Sequence, residues 1–415
     1  MLVITNIKGL VQILPSSVQA VKGKEMQKLE VISNAYLLID KNKILEFGPM
    51  KQWIQKSEFQ GRVEEINADG KFVFPAFCDS HTHIVYAGSR EIEYNDKIRG
   101  LSYEEIAQRG GGILNSCDRL RKASETELFE SAWERLQEMA SYGTGAVEIK
   151  SGYGLELESE LKMLRVIARL KEKSELSIRS NFLGAHAVPR EYLGRPSAYV
   201  DLIVKEMIPE IAAEKLADFI DVFCDKGFFT VEDTARILEA GIRYGMRPKI
   251  HANELDFSGG VQVGTQYHAL SVDHLEYIGP KEIEALKKSD TMPTVLPGAA
   301  FFLGMPLSPI REMIEAGLPI ALASDFNPGS SPSGNMQFVM SLGCIKYKMY
   351  PEEVIHATTI NTAYAMGVNN ILGSITPGKI ANLFITKKIP TYEYLPYSFG
   401  NNKVDALILN GKRVK

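Results

Sequence analysis

The chain has 415 residues, 45% hydrophobic and 24% charged, with a formal net charge of −4. That balance suits a soluble globular enzyme or binding protein, and the lack of long basic blocks argues against a nucleic-acid groove or a polybasic membrane surface. No apolar stretch approaches bilayer length, and MLVITNIKGLVQILPSS lacks the order of a signal peptide. Cys78, Cys117, Cys224 and Cys344 are scattered with no Cys-x-x-Cys pair, so a reducing, cytoplasmic setting is expected.

In chain order, residues 1–75 read as short strands, LVITNIKGLVQI, VISNAYLLIDKNKILEFG and VEEINADGKFVFP, divided by turn residues as in a small β unit. From Cys78 the rhythm becomes strand, loop, helix. The strand candidates are FVFPAFCDSHTH, GAVEIKSGY, IRSNFLGAHAV, FIDVFCD, RPKIHANEL, LSVDHLEY, TVLPG and PIALASDFNPG. Between them, ETELFESAWERLQEMASYG, LESELKMLRVIARLKEKS and TVEDTARILEAGIRYG carry apolar residues at three- and four-residue steps, the helical pattern.

Eight strands separated mostly by helices fit an α/β fold of the (β/α)8 TIM-like barrel type. A doubly wound sheet competes, but no Gly-x-Gly-x-x-Gly follows the first strand. After EEVIHATTINTAYAMGV, the segments GSITPGKIANLFITKK and VDALILNGKRVK return to turn-rich strands. Both termini are therefore expected to form one small β-sandwich-like domain, from residues 1–75 and 371–415, beside a barrel spanning 76–370.

Five of the seven histidines, at 81, 83, 186, 251 and 274, fall at or just past the ends of predicted barrel strands. That edge is where a barrel gathers its catalytic groups. His81 and His83 point to the same side of a strand and either share a divalent ion or form an unligated pair. His251 ends RPKIHANEL, and Glu254 follows three residues later. It is expected in the loop beyond the strand, as a proton-transfer group over the site or as a surface carboxylate at a helix start. Asp325 follows a mostly apolar run and needs a charged partner, unless it serves the following Asn327-Pro328-Gly329 turn. Together His81, His83, His251 and Asp325 supply three nitrogens and one carboxylate, leaving room for a water, as a catalytic metal site requires.

His-x-His on the first strand, His-x-x-Glu on the fifth, Asp-His on the sixth and Ser-Asp on the eighth resemble the amidohydrolase superfamily. HTHIVYAGSR, RGGGILNS, EIKSGYGL, FLGAHAVP, HANEL and SDFNPGSSP narrow this, from about residue 70 onward, to a resemblance to the imidazolonepropionase family. Ala76, Ser80 and Asn253 depart from its usual pattern without touching a proposed ligand.

The resemblance implies one zinc or iron ion per subunit, a small-molecule substrate and a homodimer. It implies hydrolytic ring opening of 4-imidazolone-5-propanoate to N-formimino-L-glutamate, by a metal-activated water with Glu254 as proton shuttle. Arg90 would then pair bidentately with the substrate carboxylate; otherwise it is a solvated loop arginine. The resemblance also puts Tyr103, Tyr153 and His186 in the pocket, and Asn327, Gly329 and Ser330 against the ring or the product's amino-acid end. His274 would hydrogen-bond the water or stabilise the oxyanion. Lys150 invites comparison with the carbamylated lysine of binuclear relatives but sits on the second strand rather than the fourth, so one metal is expected. His268 and His356 are expected to be structural or exposed. A mononuclear nucleobase deaminase, acting on cytosine or guanine, is the rival reading; a scaffold that has lost its metal is a more distant one.

Overall fold

The computed structural model describes residues 1–54, 56, 63–101 and 111–415; Tyr103 lies outside the described residues. β1 (Leu2–Val11) pairs antiparallel with β2 (Val31–Asp40), which pairs in turn with β3 (Lys43–Pro49). The stretch VEEINADGKFVFP, expected as one strand, divides into β4 (Glu64–Asn67) and β5 (Phe72–Pro75), both parallel to β1. The divide is a tight turn in which Lys71 N donates to Ala68 O, with Gly70 at φ +73°.

FVFPAFCDSHTH likewise serves two sheets. Pro75 ends β5, and β6 (Phe77–Thr82) begins two residues later. Between them Ala76 N donates to Asn382 O on the terminal sheet, while Phe77 N donates to Gly143 O at the foot of the barrel. The barrel continues with β7 (Thr144–Lys150), β8 (Ser177–Ala185), β9 (Phe219–Cys224), β10 (Arg247–Ala252), β11 (Ser271–His274), β12 (Met292–Val295) and β13 (Ala321–Leu322). Each strand is parallel to the next. The ring closes through Asp325 N donating to His81 O at 3.0 Å and His83 N to Phe326 O at 2.9 Å. The closing seam thus joins the strand ends that carry His81, His83 and Asp325.

Strands such as β7 and β9 are buried at every position, because a parallel sheet is covered on both faces. The three clearest helical patterns form helices at Glu125–Ser141, Leu157–Lys173 and Val231–Arg243. The first and third start from capping boxes, at Ser124 with Glu127 and at Thr230 with Asp233.

The two termini meet when β14 (Leu383–Thr386) pairs antiparallel with β5, followed outward by β15 (Val404–Leu409) and β16 (Lys412–Arg413). Among the described residues the hydrogen bonds unite these strands with β1–β5 in one eight-stranded mixed sheet. Alternation divides its two faces. Leu383 and Ile385 join Ile4, Leu10, Val73 and Ile408 in the sheet's own core. Phe384 faces the barrel, stacked on Phe74 at 5.1 Å and against Phe77 at 4.8 Å. This apolar contact holds the terminal sheet on the barrel.

Candidate active site

The four proposed ligands converge at the C-terminal rim of the barrel. His81 Nε2 lies 3.3 Å from His83 Nε2 and 3.5 Å from Asp325 Oδ1, and His83 Nε2 lies 3.6 Å from the same carboxylate oxygen. His251 joins them, its ring centroid 4.5 Å from that of His81, with a buried Nε2 that has no hydrogen-bond partner. Burial pushes His81, His83 and His251 below the ordinary imidazole value, and so keeps them neutral. Neutral nitrogens a few ångströms apart repel unless a cation lies between them. Bonds of about 2.0–2.1 Å in tetrahedral array need ligand separations of this size. The His81, His83 and Asp325 donors therefore fit a metal ion, and His251 forms a second such group with His81 and His274.

The residues beneath decide which nitrogens face that ion. His81 Nδ1 donates to Asp273 Oδ2 at 2.7 Å and His251 Nδ1 to Asp221 Oδ1 at 3.0 Å. With the proton on Nδ1, each Nε2 is a bare lone pair, the carboxylate–histidine arrangement that orients metal ligands. Both carboxylates are fully buried, and Lys150 compensates them, donating to Asp221 at 2.8 Å and to Glu148 at 2.6 Å, with Asp273 at 3.8 Å. Lys249 adds a second ammonium, on Glu148 at 2.5 Å and Ser80 O at 3.0 Å. Although burial opposes charge here, Lys150 and His251 hold Asp221 well below the usual carboxylate range. Sequence reasoning missed Asp221 and Glu148, and took Asp273 only as part of the Asp-His motif on the sixth strand. Their signal was present: a charged residue inside FIDVFC, SVDH or TGAVEIK sits in a strand buried on both faces and so needs a partner. Lys150 is engaged in this ion-pair floor as an ammonium.

Above the ligands opens a cavity of about 420 Å³, lined by His83, His251 and Asp325 on the floor and by Glu254, His274 and His186 around it. Glu254 occupies the loop beyond β10, where its backbone N–H and that of Leu255 donate to Asp225 Oδ2 at 2.7 and 2.9 Å. Burial raises its carboxyl to about 7. His274 Nδ1 stands 3.6 Å from Glu254 Oε2 and 3.7 Å from Glu276 Oε2. Burial works against a charged ring there, but the carboxylates around it, Glu254 first, raise it to about 10.

His186 stacks on His83 at 5.2 Å, and its Nδ1 donates to Gly152 O at 3.0 Å. Burial holds it neutral, down to about 3, so its Nε2 is a hydrogen-bond acceptor. Gly152, at φ +105°, permits the approach: a Cβ there would meet His186 Nδ1 at 3.0 Å and Leu183 O at 2.8 Å. Tyr153 is buried 6.0 Å from His83 and 5.5 Å from His186, ring to ring. Asp325, His274 and Asn253 all adopt positive φ, +53°, +87° and +57°, a concentration of backbone strain common at functional sites. Asn253 tolerates it and uses its amide to clamp the loop, donating to Tyr277 O and accepting from Ser258 Oγ.

Asn327, Gly329 and Ser330 also line the cavity. The Asn327 side chain is occupied by its own loop: its Oδ1 accepts from Gly329 N and Ser330 N, and its Nδ2 donates to Asp325 O and Ser330 Oγ. Ser330 Oγ reaches Asp325 Oδ2 at 3.2 Å, steadying the ligand. The Arg90 guanidinium lies against Gly329, where any Cβ would collide with it, and is gripped by Glu93 at 2.6 and 2.7 Å. Lys97, Ile113, Phe223, Phe228, Leu255 and Leu303 complete the wall and carried no sequence signal. His268 is exposed, while His356 is buried with Nε2 donating to Lys28 O.

The model of the amidohydrolase family matches residues 208–414. The imidazolonepropionase of Christiangramia forsetii is 54% identical over 413 residues, covering all of both chains. The chain belongs to the imidazolonepropionase family. The imidazolonepropionase of Flavobacterium johnsoniae is 54% identical over 99% of this chain and 98% of its own, and that of Geobacillus kaustophilus 41% over 100% and 97%. Among solved structures, Escherichia coli guanine deaminase superposes with a TM-score of 0.75 at 13% identity, covering 100% of this chain and 98% of its own. A zinc-bound adenosine deaminase from Xanthomonas campestris gives 0.68 at 14%, covering 99% and 92%. At such identities these two show the shared barrel fold. Among the described residues, no helix is long and apolar enough to cross a membrane.

Proposed function

We propose that the chain hydrolyses 4-imidazolone-5-propanoate to N-formimino-L-glutamate, with His81, His83, His251 and Asp325 holding one zinc or iron ion. The observation that carries this reading is full-length identity to imidazolonepropionases, combined with one cavity that holds both a metal-ligand cluster and a guanidinium. A metal bound there supplies Lewis-acid activation of water and of the ring carbonyl. Glu254 accepts the proton of the attacking water and returns it to the leaving ring nitrogen, a task for which a carboxyl raised to about 7 is suited. The bond between carbonyl carbon and ring nitrogen breaks, leaving a carboxylate and the formimino group. His274 polarises the oxygen that gains charge.

His186 Nε2 accepts a hydrogen bond from a ring N–H. Arg90 leaves Glu93 in part to pair with the propionate, and Lys97 lends a second positive charge at that end of the cavity. Tyr153 bounds the ring, while Asn327, Gly329 and Ser330 shape the product end. Nitrogen and carboxylate ligands suit zinc and iron alike. The free state of all four cysteines supports a reducing, cytoplasmic setting, in which we place a homodimer.

Turnover of imidazolonepropionate, followed by formiminoglutamate production with metal content measured on the same sample, tests the reading. Ring opening with stoichiometric metal is expected. Ammonia release from guanine or cytosine, with imidazolonepropionate untouched, would establish the deaminase alternative.

A further inference from the structure

Just beyond β11, Glu276 is 5% exposed, and neither of its carboxylate oxygens has a hydrogen-bond partner. Two donors near it are also unsatisfied. His274 Nδ1 is buried and unpartnered 3.7 Å from Glu276 Oε2. The Tyr347 hydroxyl is buried and unpartnered as well; after burial, the Glu276 charge is what raises that phenol. A buried carboxylate without a donor is costly, and so is a buried donor without an acceptor. At 3.7 Å, Glu276 Oε2 stands just beyond hydrogen-bond range of His274 Nδ1, so closing that pair would satisfy an orphan acceptor and an orphan donor together.

His274 Nδ1 has a competing acceptor in Glu254 Oε2, at 3.6 Å. The two carboxylates differ in what else can serve them. The Glu254 side chain is 13% exposed and lines the cavity, so water or substrate can reach it, whereas the Glu276 side chain is 1% exposed and lies outside the lining. The imidazole N–H is therefore worth more to Glu276.

We propose that Glu276 is a positioning residue: it accepts the Nδ1–H of His274, fixes that ring beside the metal ligands, and leaves the Glu254 carboxylate free to take a proton from water. The inference rests on the ring-opening reading, in which Glu254 is the proton carrier. It assigns the two glutamates different duties that their near-equal distances from His274 conceal.

Glu276→Leu and the isosteric Glu276→Gln, each purified as the metal-loaded full chain, test this. In Glu276→Leu, kcat is expected to fall roughly 10–100-fold, the usual effect of losing a hydrogen bond that orients a site histidine, with KM and metal content retained. Glu276→Gln keeps an acceptor oxygen and is expected to recover most of that loss. Side-chain 15N spectra of histidine-labelled protein provide a readout independent of turnover: the His274 Nδ1–H signal, assigned with a His274→Asn variant, should move in Glu276→Leu and stay near its native position in Glu276→Gln.

An unmoved Nδ1 signal, or an unchanged kcat in Glu276→Leu, overturns the proposal. So does a fall in kcat matched by loss of metal in both variants. Wild-type protein that fails to open the ring defeats the functional reading instead, and the spectra still decide the role of Glu276.

Discussion

The floor of the site and its wall are built on opposite terms. On the floor, each histidine Nδ1 facing Asp221 or Asp273 is matched by a carboxylate, and each of those carboxylates by Lys150. These groups come from β6, β7, β9, β10 and β11, converge in the barrel interior and are closed to solvent. On the wall, Arg90 is held by Glu93, which is only three residues away, and seated against a glycine on a loop. The floor is committed before any ligand arrives, while the wall has a partner it can exchange. The difference teaches that this scaffold fixes its metal chemistry rigidly and leaves recognition of the substrate tail to replaceable contacts.

The largest effect should come from the group that spans both regions. Glu254→Gln is expected to lower kcat by about 10²–10⁴-fold, the range for removing a general acid–base group, with metal content intact. Because burial raises this carboxyl to about 7, its base form is lost as pH falls through that value. Wild-type kcat should therefore decline below about 7, and the Gln variant should lose that limb in a pH–rate profile.

Asp221→Asn attacks the floor alone. It leaves His251 Nδ1 without its carboxylate and Lys150 without one of its counter-ions, and should weaken metal affinity about 10–100-fold in competition with a chelator. Metal binding unchanged in Asp221→Asn would mean that the floor is merely structural.

Arg90→Met attacks the wall alone. Losing a hydrogen-bonded charge pair of about 1.5–3 kcal/mol should raise KM roughly 10–100-fold, with metal content and kcat little altered. Gly329→Ala forces the same guanidinium aside and should raise KM by less, since a long arginine can still swing toward a carboxylate. An unchanged KM in Arg90→Met would remove the clamp from the mechanism.

The smallest effect calibrates the others. Thr230→Ala removes a helix cap that lines neither floor nor wall, costing about 0.5–2 kcal/mol of stability. Thermal unfolding should register it, while metal affinity and KM stay put. Shifts in either would show that the site responds to general loosening.

Much of the architecture was legible in local pattern. The eight barrel strands and the three clearest helices follow from apolar runs and from three- and four-residue spacing, which a helix or a covered strand imposes on any sequence. His81, His83, His251 and Asp325 could be picked out because scarce residue types stand at strand ends, and in the structure these four side chains do converge. The split of VEEINADGKFVFP and the sheet change at Ala76 were not legible, because one extended segment looks the same whichever sheet it joins.

Residue types and their place along each element were thus determined by the sequence alone. Tertiary structure decided the rest: that Asp273 meets His81 across 192 residues of chain, that the barrel closes where the His81 and Asp325 strand ends meet, and that Arg90 lies over Gly329. The physical reason is that strand order and register choose which buried charges become neighbours. A charge inside an apolar strand announces only that it needs a partner; the closed barrel supplies the partner.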